Sequence, residues 1–250
     1  MPSINVLNRS LRHTNVVVSC FSNFILMTLF SYCLRYDDGS APNPFWEVCT
    51  LAICKPVIRR VASIGDWVVG LGSTQSPIGN IADYVVYAMQ VTDKMTLQEY
   101  DEFCRVHSPH KIPKWESEKF EYRVGDCIYD YSQGEQIVLR PSVHGKSNQQ
   151  TDLGGISVLM SRHFYYFGDK AVQLPASLTP LVHKNQGHKS TANHPYVKPF
   201  VTWIDNLGYT PNQVYGEPQL KKEFIFNPDI NGCCARCNLQ DDDADQRSNC

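Results

Sequence analysis

The chain carries no charged side chain from Thr14 to Leu34, and this run decides between two kinds of protein. By length it qualifies as a membrane span or a signal anchor. Several polar residues dilute its apolar character: Ser19, Ser22, Asn23, Thr28 and Ser31. Anchoring in a membrane through residues 14–34 is therefore the alternative interpretation rather than the preferred one.

The preferred interpretation divides the run at Met27. Residues 29–36 are rich in aromatic side chains and end at the turn signal formed by residues 37–39, a pattern typical of a strand. We therefore expect an N-terminal extension over residues 1–26, outside the fold, and a domain that begins with this strand.

The rest of the pattern favours the α+β class. Strands are predicted at residues 67–73, 81–91, 156–160 and 163–167, and they do not alternate regularly with long helices. Short helices are predicted at residues 57–62 and 197–207, and another follows the capping box at Thr96 and Glu99. The expected architecture is a small bent antiparallel sheet or a small β-barrel with two or three flanking helices.

Charge places one boundary near the C-terminus. Four of the 23 basic and six of the 25 acidic residues lie in residues 219–250, so the net charge of -2 belongs to that segment and residues 1–218 are formally neutral. We expect one domain over residues 27–218 and a poorly ordered acidic tail over residues 219–250. This neutral net charge excludes a long basic groove for nucleic acid, but it permits the binding of one nucleotide or one flipped base.

The ten cysteines are too few for a disulfide scaffold and suggest reduced thiols in the cytoplasm. Cys49 and Cys54 stand in apolar surroundings and are interpreted as buried small side chains. The tail cysteines Cys233, Cys234 and Cys237 are a weak candidate for a metal site because a second pair of ligands is missing. No cofactor is expected, since neither a phosphate-binding glycine loop nor a dinucleotide fingerprint occurs.

Several longer blocks carry a resemblance. They are residues 32–45 (YCLRYDDGSAPNPF), 49–59 (CTLAICKPVIR), 65–73 (GDWVVGLGS), 87–91 (YAMQV), 125–129 (GDCIY) and 158–168 (VLMSRHFYYFG). Together they resemble the nucleotide modification associated domain 2 family over roughly residues 28–218. The resemblance implies a role in bacterial or phage systems that make or handle modified DNA bases. It implies no particular reaction.

Two further points qualify the resemblance. Cys127 stands where the family pattern leads us to expect asparagine, which questions any ligand contact at that position. The order of Arg59, Arg60, residues 65–68 and residues 84–91 is also weakly similar to the base-binding EVE and ASCH domains of the PUA-like fold.

Six residues are candidate ligand contacts. Asn43, between two prolines, could present its amide to a base edge, or it could form an Asx-turn. Lys55 and Arg59 could bind a phosphate as a cation pair, or they could lie on a solvated helix face. Trp67 could stack on a base or belong to the core. Tyr36 and Ser73 complete the candidate set.

Four residues are candidate catalytic groups, namely His144, Asp37, Asp66 and Asp126, and Asp152 is a candidate partner of the first. His144 and the nearby Asp152 are expected on a flexible polar loop, and as an acid/base pair they would suit catalysis near neutral pH. Asp37, Asp66 and Asp126 are further acid/base candidates, although Asp66 could equally cap a turn.

The sequence thus leaves two main hypotheses. In the first, a pocket binds a modified base or nucleotide as part of a DNA base-modification system. In the second, the protein is an enzyme that acts on such a base or nucleotide through histidine and aspartate. The expected partner is a modified nucleotide or a flipped DNA base, a membrane is not expected, and the oligomeric state is left open.

Overall fold

A computed structural model describes residues 27–134, 136–183 and 187–222. The N-terminal extension over residues 1–26 and the cysteines Cys233, Cys234 and Cys237 lie outside these residues. The first predicted strand is present as β1, Leu29–Cys33. Among the described residues no helix has the length and apolarity needed to cross a membrane.

The remaining strands are short. They are β2 Cys49–Leu51, β3 Trp67–Leu71, β4 Tyr84–Gln90, β5 Asp93–Thr96, β6 Tyr129–Asp130, β7 Val138–Leu139, β8 Ser157–Ser161, β9 His163–Tyr166, β10 Val172–Gln173, β11 His188–Lys189 and β12 Gln213–Val214. The α-helices are α1 Pro56–Val61, α2 Leu97–His107, α3 Phe120–Arg123, α4 Lys146–Leu153 and α5 Val197–Asp205. Strands and helices of these lengths in this order confirm the α+β class.

The larger sheet is open. Its strand order is β11-β1-β3-β4-β9-β12, with β10 paired to β4, so β11 and β12 form two edges. The described strands therefore form a sheet rather than a closed barrel. The sheet is also mixed, because β1 runs parallel to β3 and β9 runs parallel to β12. The long connection between β1 and β3, which contains α1, allows a parallel pair where an antiparallel sheet was expected.

A bent two-stranded ribbon joins the larger sheet to the three-stranded sheet β2-β8-β5. Gln90 pairs with His163 in the larger sheet, and Asp93 pairs with Met160 in the smaller one. The segment from Gln90 to Asp93 and the segment from Met160 to His163 have the same length, so the pairing register of the two strands continues across the bend. At the bend the backbone N–H of Arg162 donates to Thr92 Oγ1 at 3.0 Å. This geometry confirms the predicted bent sheet.

The helices cover both sheets. Helix α5 packs on the larger sheet, where Trp67 meets Phe200, and α2 packs against the smaller one. The predicted capping box begins α2, because the backbone N–H of Glu99 donates to Thr96 Oγ1 at 3.2 Å and Glu99 Oε2 accepts from the Thr96 N–H.

The structure corrects the sequence analysis at α4. A flexible loop was expected over residues 145–155, but residues 146–153 are helical, and the described residues contain five α-helices rather than two or three. The helix was missed because Asp152 is its one buried residue, so it lacks the apolar periodicity by which helices are recognised.

Candidate active site

The turn between β2 and α1 places a cysteine in a strained conformation. Cys54 and Lys55 have φ values of 58° and 41°, in the left-handed region that non-glycine residues rarely occupy. Pro56 then begins α1. Strain of this kind persists where surrounding structure enforces it, and it concentrates at functional sites. Cys54 is half-buried in this turn.

A histidine and an aspartate complete a chain of contacts from this cysteine. His144 Nε2 lies 3.5 Å from Cys54 Sγ, and His144 Nδ1 lies 2.5 Å from Asp152 Oδ2. His144 precedes α4 and Asp152 lies in its last turn, so the helix brings the imidazole and the carboxylate together. Cysteine, histidine and aspartate stand in the order of a nucleophile, its base and the group that orients the base.

Further hydrogen bonds fix Asp152. Its Oδ1 accepts the backbone N–H of Cys54 at 2.8 Å, and its Oδ2 accepts the hydroxyl of Tyr129 at 2.9 Å. The carboxylate therefore orients the imidazole and also holds the turn that carries the thiol. Because Nδ1 faces Asp152, Nε2 is the nitrogen that faces the sulfur.

The electrostatics favour a charged histidine. Burial opposes the charged form of His144, but Cys54 and Asp152 outweigh that effect and raise its pKa well above the ordinary value. Burial alone would raise the pKa of Asp152, yet the neighbouring His144, Arg59 and the Cys54 N–H hold it below its usual value. An imidazolium beside a sulfur atom stabilises the thiolate, which is the nucleophilic form of cysteine.

A buried arginine ties together the segments that carry the triad. Arg59 is fully buried, and its guanidinium donates to the carbonyl oxygens of Cys54 at 2.7 Å and Ser157 at 2.9 Å, and also to that of Asp152. A Cβ on Gly155 would lie 2.3 Å from the Arg59 Cζ, so only glycine leaves room for the guanidinium. Arg59 is thus placed as a positioning residue. Binding a phosphate would require it to leave these carbonyls.

Other predicted residues lie in buried networks. Asn43 and Asp126 belong to a fully buried cluster around Lys111, whose Nζ donates to Asn43 Oδ1 at 2.6 Å. Asp126 accepts the hydroxyls of Thr50 at 2.6 Å and Tyr100 at 2.7 Å. We call these five residues the Lys111 cluster.

Two candidates at the start of β3, Asp66 just before it and Trp67 within it, are also buried. Asp66 accepts the backbone N–H groups of Thr28 at 2.7 Å and Ser63 at 2.8 Å, which braces the turn before β3. Trp67 is 1% exposed and packs edge-on against Phe200. Stacking of a base on this indole would require the core around α5 to open.

The remaining candidates are Asp37, Lys55, Tyr36 and Ser73, and they do not form one cluster with the triad. Asp37 is buried and accepts the Tyr166 hydroxyl at 2.6 Å; burial raises its pKa to about 7. Lys55 Nζ lies 4.8 Å from the centre of the Tyr32 ring, beside the triad cysteine. Tyr36 is half-buried and Ser73 is buried. The triad therefore contains His144 and is flanked by Lys55 and Arg59, whereas Asn43, Asp66, Trp67 and Asp126 belong to other clusters.

The sequence analysis did not select Cys54 as a site candidate. Cys49 is buried as expected, but the interpretation of Cys54 as a buried apolar residue is wrong, because its thiol contacts a histidine. The available signal was an apolar run over residues 51–53, followed by a cysteine and, two residues later, by a proline that begins a helix. Cys127, the departure from the family pattern, is buried with its sulfur 3.8 Å from Asp101 Oδ1, away from the triad.

Comparison with known proteins identifies the family. The class defined by the site is a small α+β protein with a cysteine, histidine and aspartate triad. Residues 26–226 match the model of nucleotide modification associated domain 2, so the chain belongs to that family and has a nucleotide modification-associated role. No curated protein and no solved structure matches the chain.

The described residues form no candidate metal site. Among residues 27–134, 136–183 and 187–222 no three histidine, cysteine or acidic side chains are grouped so that they could hold an ion. The candidate Cys233, Cys234 and Cys237 lies beyond these ranges.

Proposed function

We propose that the protein is a thiol-dependent enzyme that acts on a modified base or nucleotide. The observation that carries this proposal is the contact of Cys54 Sγ with His144 Nε2, at 3.5 Å, while His144 Nδ1 is bound to Asp152. The substrate class comes from the family to which the chain belongs. In this proposal, the pocket for a modified base that the sequence analysis expects is the substrate site of the enzyme.

The chemistry that fits a cysteine nucleophile is acyl transfer. The Cys54 thiolate attacks a carbonyl carbon of the substrate and forms a thioester, and the bond from that carbon to the leaving group breaks. The leaving group takes the proton from His144 Nε2. His144 then accepts a proton from water, or from an amine acceptor, as that molecule attacks the thioester and releases Cys54. Asp152 stabilises the imidazolium at both steps.

The first experiment measures the thiol itself. The rate of alkylation of Cys54 by iodoacetamide is followed against pH by mass spectrometry in the full chain. A thiolate paired with His144 reacts at pH values well below the ordinary thiol pKa of about 8.5. Cys33 is a matched control, because it is also half-buried and its pKa is raised, mainly by burial.

The second experiment measures turnover. Modified nucleotides and nucleosides carrying ester or amide groups are incubated with the protein, and products are followed by mass spectrometry. Cys54→Ala is expected to abolish turnover and Cys33→Ala to preserve it. Equal alkylation of the two cysteines at neutral pH, or turnover by Cys54→Ala, would contradict the proposal. Binding of the same compounds without any product would favour the alternative, a protein that binds the base without reacting with it.

Cytoplasmic location and bacterial or phage origin remain proposals of the same kind. They are supported by the nucleotide modification-associated role of the family and by the reduced thiols that a cytoplasmic protein keeps.

A further inference from the structure

The triad aspartate accepts a hydrogen bond that the proposed reaction does not use. Asp152 Oδ2 accepts from His144 Nδ1 at 2.5 Å and also from the hydroxyl of Tyr129 at 2.9 Å. All three side chains are buried. The phenol and the imidazole therefore share one acceptor atom, and a change at the phenol acts directly on the bond that orients the imidazole.

An antiparallel pair of strands positions both of these donors. Tyr129 lies in β6 and pairs with Leu139 in β7, and the chain reaches His144 shortly after β7. Arg140, which directly follows β7, donates to the carbonyl oxygen of Tyr129 at 3.2 Å and to Asp101 Oδ1 at 2.7 Å. Asp101 lies in α2, so the strand pair is tied to that helix. The backbone of Tyr129 is thus held by contacts that do not involve the triad.

The surroundings make the phenol a donor to the carboxylate. Burial and the neighbouring Asp152 raise the pKa of Tyr129, so the hydroxyl keeps its proton. The other titratable or charged groups that face this position are Cys54 in the turn after β2, Arg59 in α1 and His144. Arg59 contacts the carbonyl oxygen of Asp152 rather than its carboxylate. Within the described part of the chain, Tyr129 and His144 are the side chains that donate to this carboxylate.

We propose that Tyr129 is a positioning residue of the triad. Its hydroxyl holds Asp152 Oδ2 in the orientation that the imidazole needs and takes up part of the negative charge that the carboxylate would otherwise direct at Nδ1. Without the hydroxyl, the carboxylate holds the imidazolium proton more tightly, and His144 becomes a poorer acid toward the leaving group. This inference rests on the proposed function, in which His144 Nε2 gives its proton to the leaving group.

Tyr129→Phe tests the role, because it removes the hydroxyl and keeps the ring. The pKa of His144 is measured in the full chain by NMR titration of the imidazole. It is expected to rise by about one unit, since the carboxylate loses one hydrogen bond. Asp152→Asn should move the same pKa downward, because it removes the negative charge. An unchanged or lower His144 pKa in Tyr129→Phe would overturn the proposal.

Turnover gives a second measurement of the same variant. With the ester and amide compounds described above, kcat of Tyr129→Phe should fall about three- to tenfold, because the acid that serves the leaving group is weaker. KM should stay unchanged, since Tyr129 contacts the triad aspartate rather than the thiol. An unchanged kcat, or a loss that appears in KM alone, would contradict a positioning role.

Tyr100→Phe is the matched control. Tyr100 is also a buried tyrosine whose hydroxyl donates to a buried carboxylate, Asp126 Oδ1, at 2.7 Å, but it belongs to the Lys111 cluster. Both variants should lower the midpoint of urea denaturation, whereas Tyr129→Phe alone should shift the His144 pKa. Equal pKa shifts in the two variants would show a general effect of losing a buried hydrogen bond and would contradict the assignment.

Failure of this inference can be told from failure of the proposed function, because the His144 titration needs neither a substrate nor a reactive thiol. If Cys54 is alkylated no faster than Cys33 at neutral pH while Tyr129→Phe still raises the His144 pKa, the proposed function fails and the effect of Tyr129 on the imidazole stands. If Cys54 is reactive and the pKa does not move, the positioning role of Tyr129 alone is wrong.

Discussion

The triad and the Lys111 cluster are both polar groups buried in the same part of the molecule, yet they differ in one respect. Thr50 of the cluster lies in β2, and Cys54 follows the same strand. Every member of the cluster is fully enclosed, and Lys111 Nζ meets four oxygen atoms. In the triad His144 and Asp152 are enclosed, but Cys54 is partly accessible and strained.

The difference teaches how a reactive site can be told from a structural one. Burial and hydrogen bonding are shared, and buried polar groups are normally satisfied in this way. The triad differs in that Cys54 is only half-buried while its partners His144 and Asp152 are buried, as the proposed reaction with a substrate requires. The four predictions below test that contrast, from the largest expected effect to the smallest.

His144→Ala removes the base of the triad and should affect reactivity more than folding. General acid–base catalysis contributes about 10²- to 10⁴-fold, so turnover is expected to fall by that factor. Alkylation of Cys54 at neutral pH should slow, because the thiolate loses its counter-ion. Asp152→Asn should lower the His144 pKa, since the carboxylate raises it, and should move the alkaline limb of the pH–rate profile to lower pH. Unchanged alkylation of Cys54 in His144→Ala would place the imidazole outside the mechanism.

Lys111→Met should reduce the stability of the protein more than the reactivity of Cys54. Removing one partner from a buried charged network costs about 3–5 kcal/mol of unfolding free energy, since Asp126 and the carbonyls of Asn43 and Val48 lose their donor or counter-charge. Urea denaturation measures this loss. The same experiment on Cys54→Ala should show a change of less than about 1 kcal/mol, because the half-buried thiol leaves little empty volume. Equal losses would remove the contrast between the two regions.

Gly155→Ala should reduce both the stability of the protein and the reactivity of Cys54. The new methyl group meets the Arg59 guanidinium, so the variant should lose about 1–3 kcal/mol and slow the alkylation of Cys54. Gly145→Ala is the matched control, because a Cβ there meets nothing within 4 Å. Full alkylation rates in Gly155→Ala would show that Arg59 does not position the triad.

Asp37→Asn tests a carboxyl outside both regions. Because the pKa of Asp37 is raised to about 7 by burial, the folded protein holds a proton that the unfolded chain releases near pH 4. This group therefore favours the folded state below pH 4, and its contribution is lost as the pH rises from about 4 to 7. The difference in unfolding free energy between wild type and Asp37→Asn should change across that interval and stay flat above it. A constant difference from pH 4 to 8 would contradict the raised pKa.

The local elements were predictable because their signals are local. The capping box at Thr96 and Glu99 begins α2, and the valine- and tyrosine-rich run became β4. The contact between His144 and Asp152 was predictable because the two residues are close in the chain. Helix α4 and the two parallel strand pairs were not, since the helix has little apolar surface and parallel pairing joins distant segments.

The amino-acid sequence by itself determined the α+β class, the strand that follows Met27 and the family. These follow from hydrophobic periods, turn residues and motif order, all of which are read along the chain. Only the tertiary structure decided that Cys54 belongs with His144. The two residues are 90 positions apart, and their contact depends on Arg59, Gly155 and α4 holding separate segments together. A site of this kind is set by packing, which no local pattern in the sequence records.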